Sequence, residues 1–357
     1  FKWTCEASWA VEEFLKARPA SQIERLKRRI EEGRIEITGM YFNFDELPDE
    51  QSLAQSLRPF QTFKEYGIPV ELAMQNDVNG IGWCMNDYFN QLGVKYLNMG
   101  THGHRALIAF DKPTAFWWES PAGNRILTFR AEHYMTGNFE FLMDGDFALF
   151  EEKVLEYLKK LEAKNYPHLV IPIQHSGYLT DNAPPSTRSS EIIGMWNKKY
   201  EWPKMQTAVG SEFFKYLEGL GTDDLPVYRT AWPDWWTDGF ASGAREMSVT
   251  RQGHTQLIAA QGALSMAKLL GAKMPKEIFS DIQLANNALL FYGEHTFGAA
   301  ESISDPFSKN TMDQRYMKAS YAWEGLRRAK ILTEKGMGLL QAYVQAEENP
   351  VIAVFNT

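Results

Sequence analysis

Asp77 closes a short apolar run and opens a glycine-punctuated turn, in Glu71-Leu72-Ala73-Met74-Gln75-Asn76-Asp77-Val78-Asn79-Gly80-Ile81-Gly82. A carboxylate at the C-terminal end of a parallel strand stands at the mouth of an α/β barrel, the face where that fold keeps its chemistry. An acid before a glycine turn also serves as a helix N-cap, so the position alone leaves both readings open. Asp45-Glu46 follows an earlier strand on the same side of the pattern. Carboxylates collected at one mouth repel each other and need a metal, a cation or a shared proton to coexist.

Later positions supply candidate partners. Asp181, in Tyr178-Leu179-Thr180-Asp181-Asn182-Ala183-Pro184-Pro185, follows the apolar run 169–173. Asp-Asn before Pro-Pro is ordinary turn chemistry. It is equally a place for a general acid/base, which works across a sugar ring when it faces a second carboxyl group about 5–5.5 Å away. His175 is a weaker candidate for the same proton transfer. His295, in Gly293-Glu294-His295-Thr296-Phe297-Gly298, follows a helix rich in Ala and Leu. It either caps that helix or lines a pocket wall, and imidazole with carboxylates suits Zn²⁺. His102 and His104 form an HxH pair after a strand; glycines at 100 and 103 place them in a loop, as pocket lining or substrate contact before metal. His133, His168 and His254 have no supporting neighbours and read as structural. Trp235-Trp236-Thr237-Asp238 reads as a stacking platform or as aromatic core.

These residues need a scaffold that collects strand ends. A chain of 357 residues suits one large α/β unit with an appendage. Apolar or β-rich runs at 1–4, 34–38, 70–74, 95–99, 168–173 and 204–208 alternate with amphipathic helices such as 23–32, 49–66, 147–163 and 211–220. Strand, helix, strand with short loops implies parallel pairing and right-handed crossovers. Segments 116–119 and 125–129 read as a hairpin on the barrel rim. After residue 240 the period turns helical, with long helices at 247–270, 275–292 and 310–343, which predict a three-helix bundle. The fold class is α/β: a (β/α) barrel of about seven mostly parallel strands followed by that bundle.

Composition narrows the function classes. The net charge of −8 argues against nucleic-acid backbone or anionic membrane as partner, and no apolar run is long enough to span a bilayer. The 11 Trp and 15 Tyr favour stacking against carbohydrate, although most must be core. Cys5 and Cys84 are far apart and form no CxxC; they read as buried free thiols of a reducing, cytoplasmic compartment, with a single disulfide between them as the alternative. A homo-oligomer is compatible with all of this. Both ends read as cut, since the chain opens inside one strand and stops on another.

The order of segments resembles glycoside hydrolase family 38, the retaining, zinc-dependent α-mannosidases. Trp3-Thr4-Cys5-Glu6-Ala7-Ser8-Trp9 is similar to the family's second strand and the loop after it. Gly39-Met40-Tyr41-Phe42-Asn43-Phe44-Asp45-Glu46 with Glu50-Gln51-Ser52-Leu53 is similar to a segment carrying an acid and then a Glu-Ser pair. Gln75-Asn76-Asp77-Val78-Asn79-Gly80 falls on the nucleophile loop Asp-Pro-Phe-Gly-His-Ser, with Val78, Ile81 and Gly82 in place of its Pro, His and Ser. Trp236-Thr237-Asp238-Gly239-Phe240 resembles the Tyr-Trp-Ser-Gly-Tyr entry to the bundle, and Glu294-His295-Thr296 falls on its His-His-Asp.

The resemblance implies Asp77 as nucleophile and zinc ligand, Asp181 as acid/base, His295 as a second zinc ligand, and Asp45, Trp236, Asp238 and Thr296 as substrate contacts. It implies Zn²⁺ as cofactor, with two further ligands from a His-x-Asp first strand that this chain lacks. The domains are then 1–240, a barrel without its first strand; 241–345, the bundle; and 346–357, the start of a C-terminal β domain. The function implied is zinc-assisted retaining hydrolysis of α-mannosides. Alternatives are a metal-dependent carbohydrate deacetylase using His102 and His104, and an inactive sugar-binding homologue.

Overall fold

The computed structural model describes residues 1–44, 47–103, 109–110, 113–297 and 300–357; the side chains at 235, 236, 238 and 300 also fall outside the description. By its contacts the chain divides into two compact units, Phe1–Glu46 with Ser56–Trp235 and Leu47–Gln55 with Trp236–Thr357.

The first unit contains β1 (Trp3–Cys5), α1 (Ser8–Ala17), α2 (Ala20–Glu31) and β2 (Ile35–Ile37). After α3 (Glu50–Ser56) it continues with α4 (Pro59–Glu65), β3 (Leu72–Asn76), α5 (Met85–Leu92) and β4 (Tyr96–Gly100). Then follow β5 (Thr114–Glu119), β6 (Arg125–Arg130), α6 (Thr136–Phe139), α7 (Phe147–Ala163), α8 (Arg188–Lys199), α9 (Gly210–Leu220) and β7 (Val227–Tyr228). β3 and β4 are buried along their whole length, as strands covered on both faces must be.

Among the described residues the seven strands form two ladders, β1-β2 and β3-β4-β6-β5-β7, rather than the closed ring that a barrel requires. A parallel bridge from Thr38 to Leu72 links them. The pairs β1-β2, β2-bridge-β3, β3-β4 and β4-β6 are parallel; β5 runs antiparallel to β6. The expected hairpin exists, but it is not a rim decoration: β6 is an inner strand of the five-stranded sheet.

Two expected strands are absent. Segments 168–173 and 204–208 carry no strand. Pro167 and Pro172 remove ladder donors around the first, and Pro203 precedes the second. The expected helix 49–66 is two helices, because Pro59 cannot donate to the turn before it and starts α4 instead. β7 was not anticipated; two residues are too short to show a period.

In the second unit a 3₁₀ segment (Trp235–Ala241) leads to α10 (Ala244–Leu269), α11 (Ile278–Gly293) and α12 (Lys309–Gln341). Leu257, Ala260, Leu264, Ile278, Ala285, Leu289, Ala329 and Leu332 form their common core. Gly253 of α10 and Gly325 of α12 each leave room for Leu289: a Cβ at either would lie 2.9 or 2.6 Å from its Cδ2. Gly336 likewise faces Ala263 with no space for a methyl group. Residues 346–357 carry no helix or strand.

His254 of α10 is buried, 3.0 Å from Ser52 Oγ and 3.4 Å from Asp49 Oδ1 at its Nδ1. Burial lowers its pKa from the ordinary 6.5, against the pull of Asp49 and with the help of Arg251. Below pH about 6.5 the unfolded chain therefore binds the proton that folded His254 refuses, and stability falls with falling pH. The melting temperature should drop more steeply from neutral pH into the acid range in the native chain than in a His254→Gln variant. Equal slopes would remove this residue from the acid response.

Only one thiol is buried as the sequence reading expected. Burial, with Glu36 adding to it, pushes the Cys5 thiol up to about 12, whereas Cys84 at the start of α5 is exposed. A maleimide should label one cysteine in the folded protein and both after denaturation, with Cys84 the native adduct by peptide mapping.

Candidate active site

β3 delivers Asp77 in a left-handed conformation, φ +63°, which aspartate tolerates better than most residues. It is not a helix cap; Cys84 holds that position for α5. The turn after it is fixed by hydrogen bonds at nearly every residue. Asp77 N donates to Gly100 O (3.0 Å), Asn79 N to Asp234 Oδ1 (3.0 Å) and Ile81 N to Trp232 O (2.8 Å). Asn79 and His102 exchange two further bonds, Nδ2 to His102 O (2.6 Å) and His102 N to Oδ1 (2.7 Å). Gly80 is required here by space, since a Cβ would lie 2.2 Å from Trp232 O.

A string of amide side chains runs across the strand ends. Asn43 Nδ2 donates to Glu6, and Asn43 Oδ1 accepts from Asn76 N (3.0 Å). Asn76 Oδ1 accepts from Gln174 Nε2 (3.0 Å), and Gln174 Oε1 accepts from Asn98 Nδ2 (3.1 Å). Asn76 and Asn98 are buried, so these bonds replace water that is not available to them.

Gln174 begins the loop that carries Asp181. Leu179 and Asn182 have positive φ, and no helix or strand holds residues 174–186. Asp144 supplies the order instead. Its carboxylate accepts from His175 Nε2 (2.9 Å), Leu179 N (2.8 Å) and Ser186 Oγ (2.6 Å). Burial alone would raise Asp144; those three donors outweigh it and hold the carboxyl below its usual range. α6 adds a second seam, with Gly137 N donating to Gln174 O (2.7 Å) and Asn138 bonding both Gly177 O (2.8 Å) and Ser176 N (3.0 Å).

Tyr134 joins the two acids. Its hydroxyl donates to Asp181 Oδ2 (2.9 Å), and the Asp77 carboxyl group lies against the same hydroxyl. Burial, then Asp77 and Asp181, push the phenol far above the usual tyrosine range, so it stays protonated. His102 Nε2 is 3.6 Å from Asp77 Oδ1, and the His102, His133 and Tyr134 rings pack within 4.7–5.9 Å of one another. Asp77, His102, His133, Tyr134 and Asp181 thus gather in the first unit.

His295 belongs to the second unit. It is buried, with Nδ1 2.6 Å from Glu294 Oε1. Glu294 also accepts from Lys318 Nζ (3.1 Å) and from Thr296 N and Oγ1. Burial would raise Glu294, but His295 and Lys318 hold it down at about 2. Thr296 is exposed. Asp45 and His104 lie outside the described residues, as do the Trp236 and Asp238 side chains, whose backbone forms the 3₁₀ segment.

Sequence reasoning missed Tyr134 and Asp144 and left His133 as structural. Glu132-His133-Tyr134 begins two residues after the end of β6, close to the strand-end signal that marked Asp77. Asp144 gave none: in Asp144-Gly145-Asp146 the second acid caps α7, and that role accounts for the pattern.

The family model described as the N-terminal domain of glycosyl hydrolases family 38 matches residues 1–231, and the chain belongs to glycoside hydrolase family 38. It is similar in fold to an alpha-mannosidase from Enterococcus faecalis V583, with a TM-score of 0.65 and 16% identity over 96% of this chain. It is also similar to a family 38 protein from Enterococcus faecalis, with a TM-score of 0.56 and 13% identity over 95% of this chain. The matched parts span 38% and 35% of those two proteins. No curated protein matches by sequence.

Replacing Asp144 with Ala strands the His175, Leu179 and Ser186 donors, at a cost of roughly 2–4 kcal/mol. Amide exchange should accelerate in 175–186 while β3 and β4 stay protected. Uniform acceleration would mean that Asp144 supports the whole unit rather than this loop.

Proposed function

We propose that the first unit carries the catalytic pair of a retaining glycoside hydrolase that acts on α-mannosides, with Asp77 as nucleophile and Asp181 as acid/base. The observation that supports this most is the shared Tyr134 hydroxyl. Asp181 accepts from that hydroxyl at 2.9 Å and the Asp77 carboxyl group lies beside it, so both acids border one side chain. Retaining enzymes work with two carboxyl groups about 5–5.5 Å apart; inverting ones need about 6.5–9.5 Å to admit a water.

In the first step an Asp77 oxygen attacks the anomeric carbon while the bond to the leaving oxygen breaks and Asp181 gives that oxygen its proton. In the second, Asp181 takes a proton from water, whose oxygen displaces Asp77 from the sugar. Tyr134 and the amide string keep the two carboxyl groups beside one another through both steps.

Zinc is expected from the family. Among the described residues, no three His, Cys, Asp or Glu side chains gather closely enough to hold an ion, whereas a catalytic zinc takes three protein donors. The described donors do not fit a zinc site on their own, and the steps above run through the chain's own groups.

Hydrolysis of an aryl α-mannoside by the complete protein tests the assignment. Asp77→Asn should lower kcat/KM on the order of 10⁴-fold or more. Asp181→Ala should lose much less on a dinitrophenyl mannoside, which leaves without a proton, than on a poor leaving group. Undiminished turnover in Asp77→Asn would defeat the nucleophile; sugar binding without turnover in the native protein would favour a binding homologue.

A further inference from the structure

Five polar residues of α10 recur at a single helical spacing. Ser248, Arg251, Gln252, Thr255 and Gln256 stand at i, i+3, i+4, i+7 and i+8, the pattern that an amphipathic helix usually gives to apolar side chains facing a neighbour. Here the stripe is polar throughout. Together with Lys330 of α12 it lines a hollow of about 340 Å³. The walls of this hollow are fixed. A Cβ on Gly253 of α10 would lie 3.4 Å from Leu326 N, and one on Gly336 of α12 would lie 2.9 Å from Ala263 Cβ, so the two helices already meet closely at both places. Thr333 Oγ1 adds contacts to Gln256 O (3.2 Å) and Gln256 Oε1 (3.3 Å). With its Oε1 turned to that hydroxyl, the Gln256 amide has its NH₂ group to offer a ligand.

Charge sets the sign of that ligand. None of the lining residues is an acid, and Glu334, one turn beyond Lys330, does not reach the hollow. Among the described residues neither Arg251 nor Lys330 pairs with a carboxylate, although the chain carries a net charge of −8. Their neighbours on α12 are all paired, Arg327 and Arg328 with Glu324 and Lys335 with Asp281. Two cations bordering one hollow repel each other, and an anion between them relieves this. A carboxylate would balance one of them. A phosphate monoester carries about 1.5–2 negative charges at neutral pH and balances both. A guanidinium grips two of its oxygens at once, and an ammonium supplies a point charge. The hollow is also larger than an oxyanion fills, at the small end of the about 300–1,000 Å³ typical of ligand sites. Ser248, Gln252, Thr255 and Gln256 offer the remaining space hydroxyl and amide groups, which suit a polyhydroxylated molecule.

We propose that this hollow between α10 and α12 binds a phosphorylated sugar, with Arg251 and Lys330 on the phosphate and the hydroxyl and amide side chains on the sugar. The site is built from the second unit alone, so it stands or falls independently of Asp77 and Asp181.

Calorimetric titration of the complete protein at low ionic strength, with glucose 6-phosphate, glucose and inorganic phosphate as probes, tests it. Glucose 6-phosphate should bind more tightly than either of the other two. Arg251→Gln and Lys330→Gln should each weaken its binding about tenfold or more, the loss expected when a hydrogen bond to a charged group is removed. Both side chains are exposed, so the variants should keep the native melting temperature, which separates loss of the site from loss of the fold. No binding of glucose 6-phosphate by the native protein, or native affinity in both variants, overturns the proposal. Inorganic phosphate binding as tightly as glucose 6-phosphate overturns the sugar half of it and reduces the hollow to an oxyanion site.

Discussion

The side-chain oxygen of Asn76 occupies the place where a side chain at position 100 would begin: a Cβ on Gly100 would sit 2.0 Å from it. That close approach is possible only because residue 100 is glycine, and much of the candidate site depends on it. The same oxygen accepts from Gln174, which starts the loop bearing Asp181, while the next residue along the chain is Asp77. One buried amide thus connects the end of β3, the end of β4 and a loop without secondary structure. Asp77 and the Asp181 loop are thus both tied to this one side chain.

A stable sheet needs its backbone donors paired, but the ends of its strands leave some unpaired by construction. In this chain asparagine, glutamine and aspartate side chains tie those ends to one another and to the loops beyond them, and Asn43 accepts from the backbone N of Asn76 at the end of β3. Asn43, Asn76, Asn79, Asn98, Gln174 and Asp144 each bridge segments far apart in the sequence. A loop such as 174–186, with two non-glycine residues at positive φ, would otherwise sample many conformations. Order here comes from polar pairing in place of apolar burial.

Local pattern in the sequence was enough to find β1 to β4, the hairpin and the three long helices, through their apolar runs and the turn residues between them. It failed where proline interrupts such a run, at 168–173, 204–208 and the middle of 49–66. It could not show that the strands fall into two bridged ladders, since pairing is decided by partners distant in sequence. Asp77 and Asp181 were visible as acids at segment ends. Tyr134 was not, because a tyrosine after a strand carries no charge to attract notice, and Asp144 was hidden behind the helix cap two residues later. His254 was left as structural, and its Ser52 and Asp49 partners lie some 200 residues away in the chain, beyond the reach of local pattern.

The second unit shows a different economy. Leu289 enters a gap lined by two glycines on separate helices, one on α10 and one on α12. A peg seated in paired notches fixes the axial register of three rods at once. Sliding either outer helix by one turn, about 5.4 Å, would drive a bulkier residue into the peg. The helices therefore cannot shear past one another in small steps, and any displacement of this unit has to carry all three as a single rigid block.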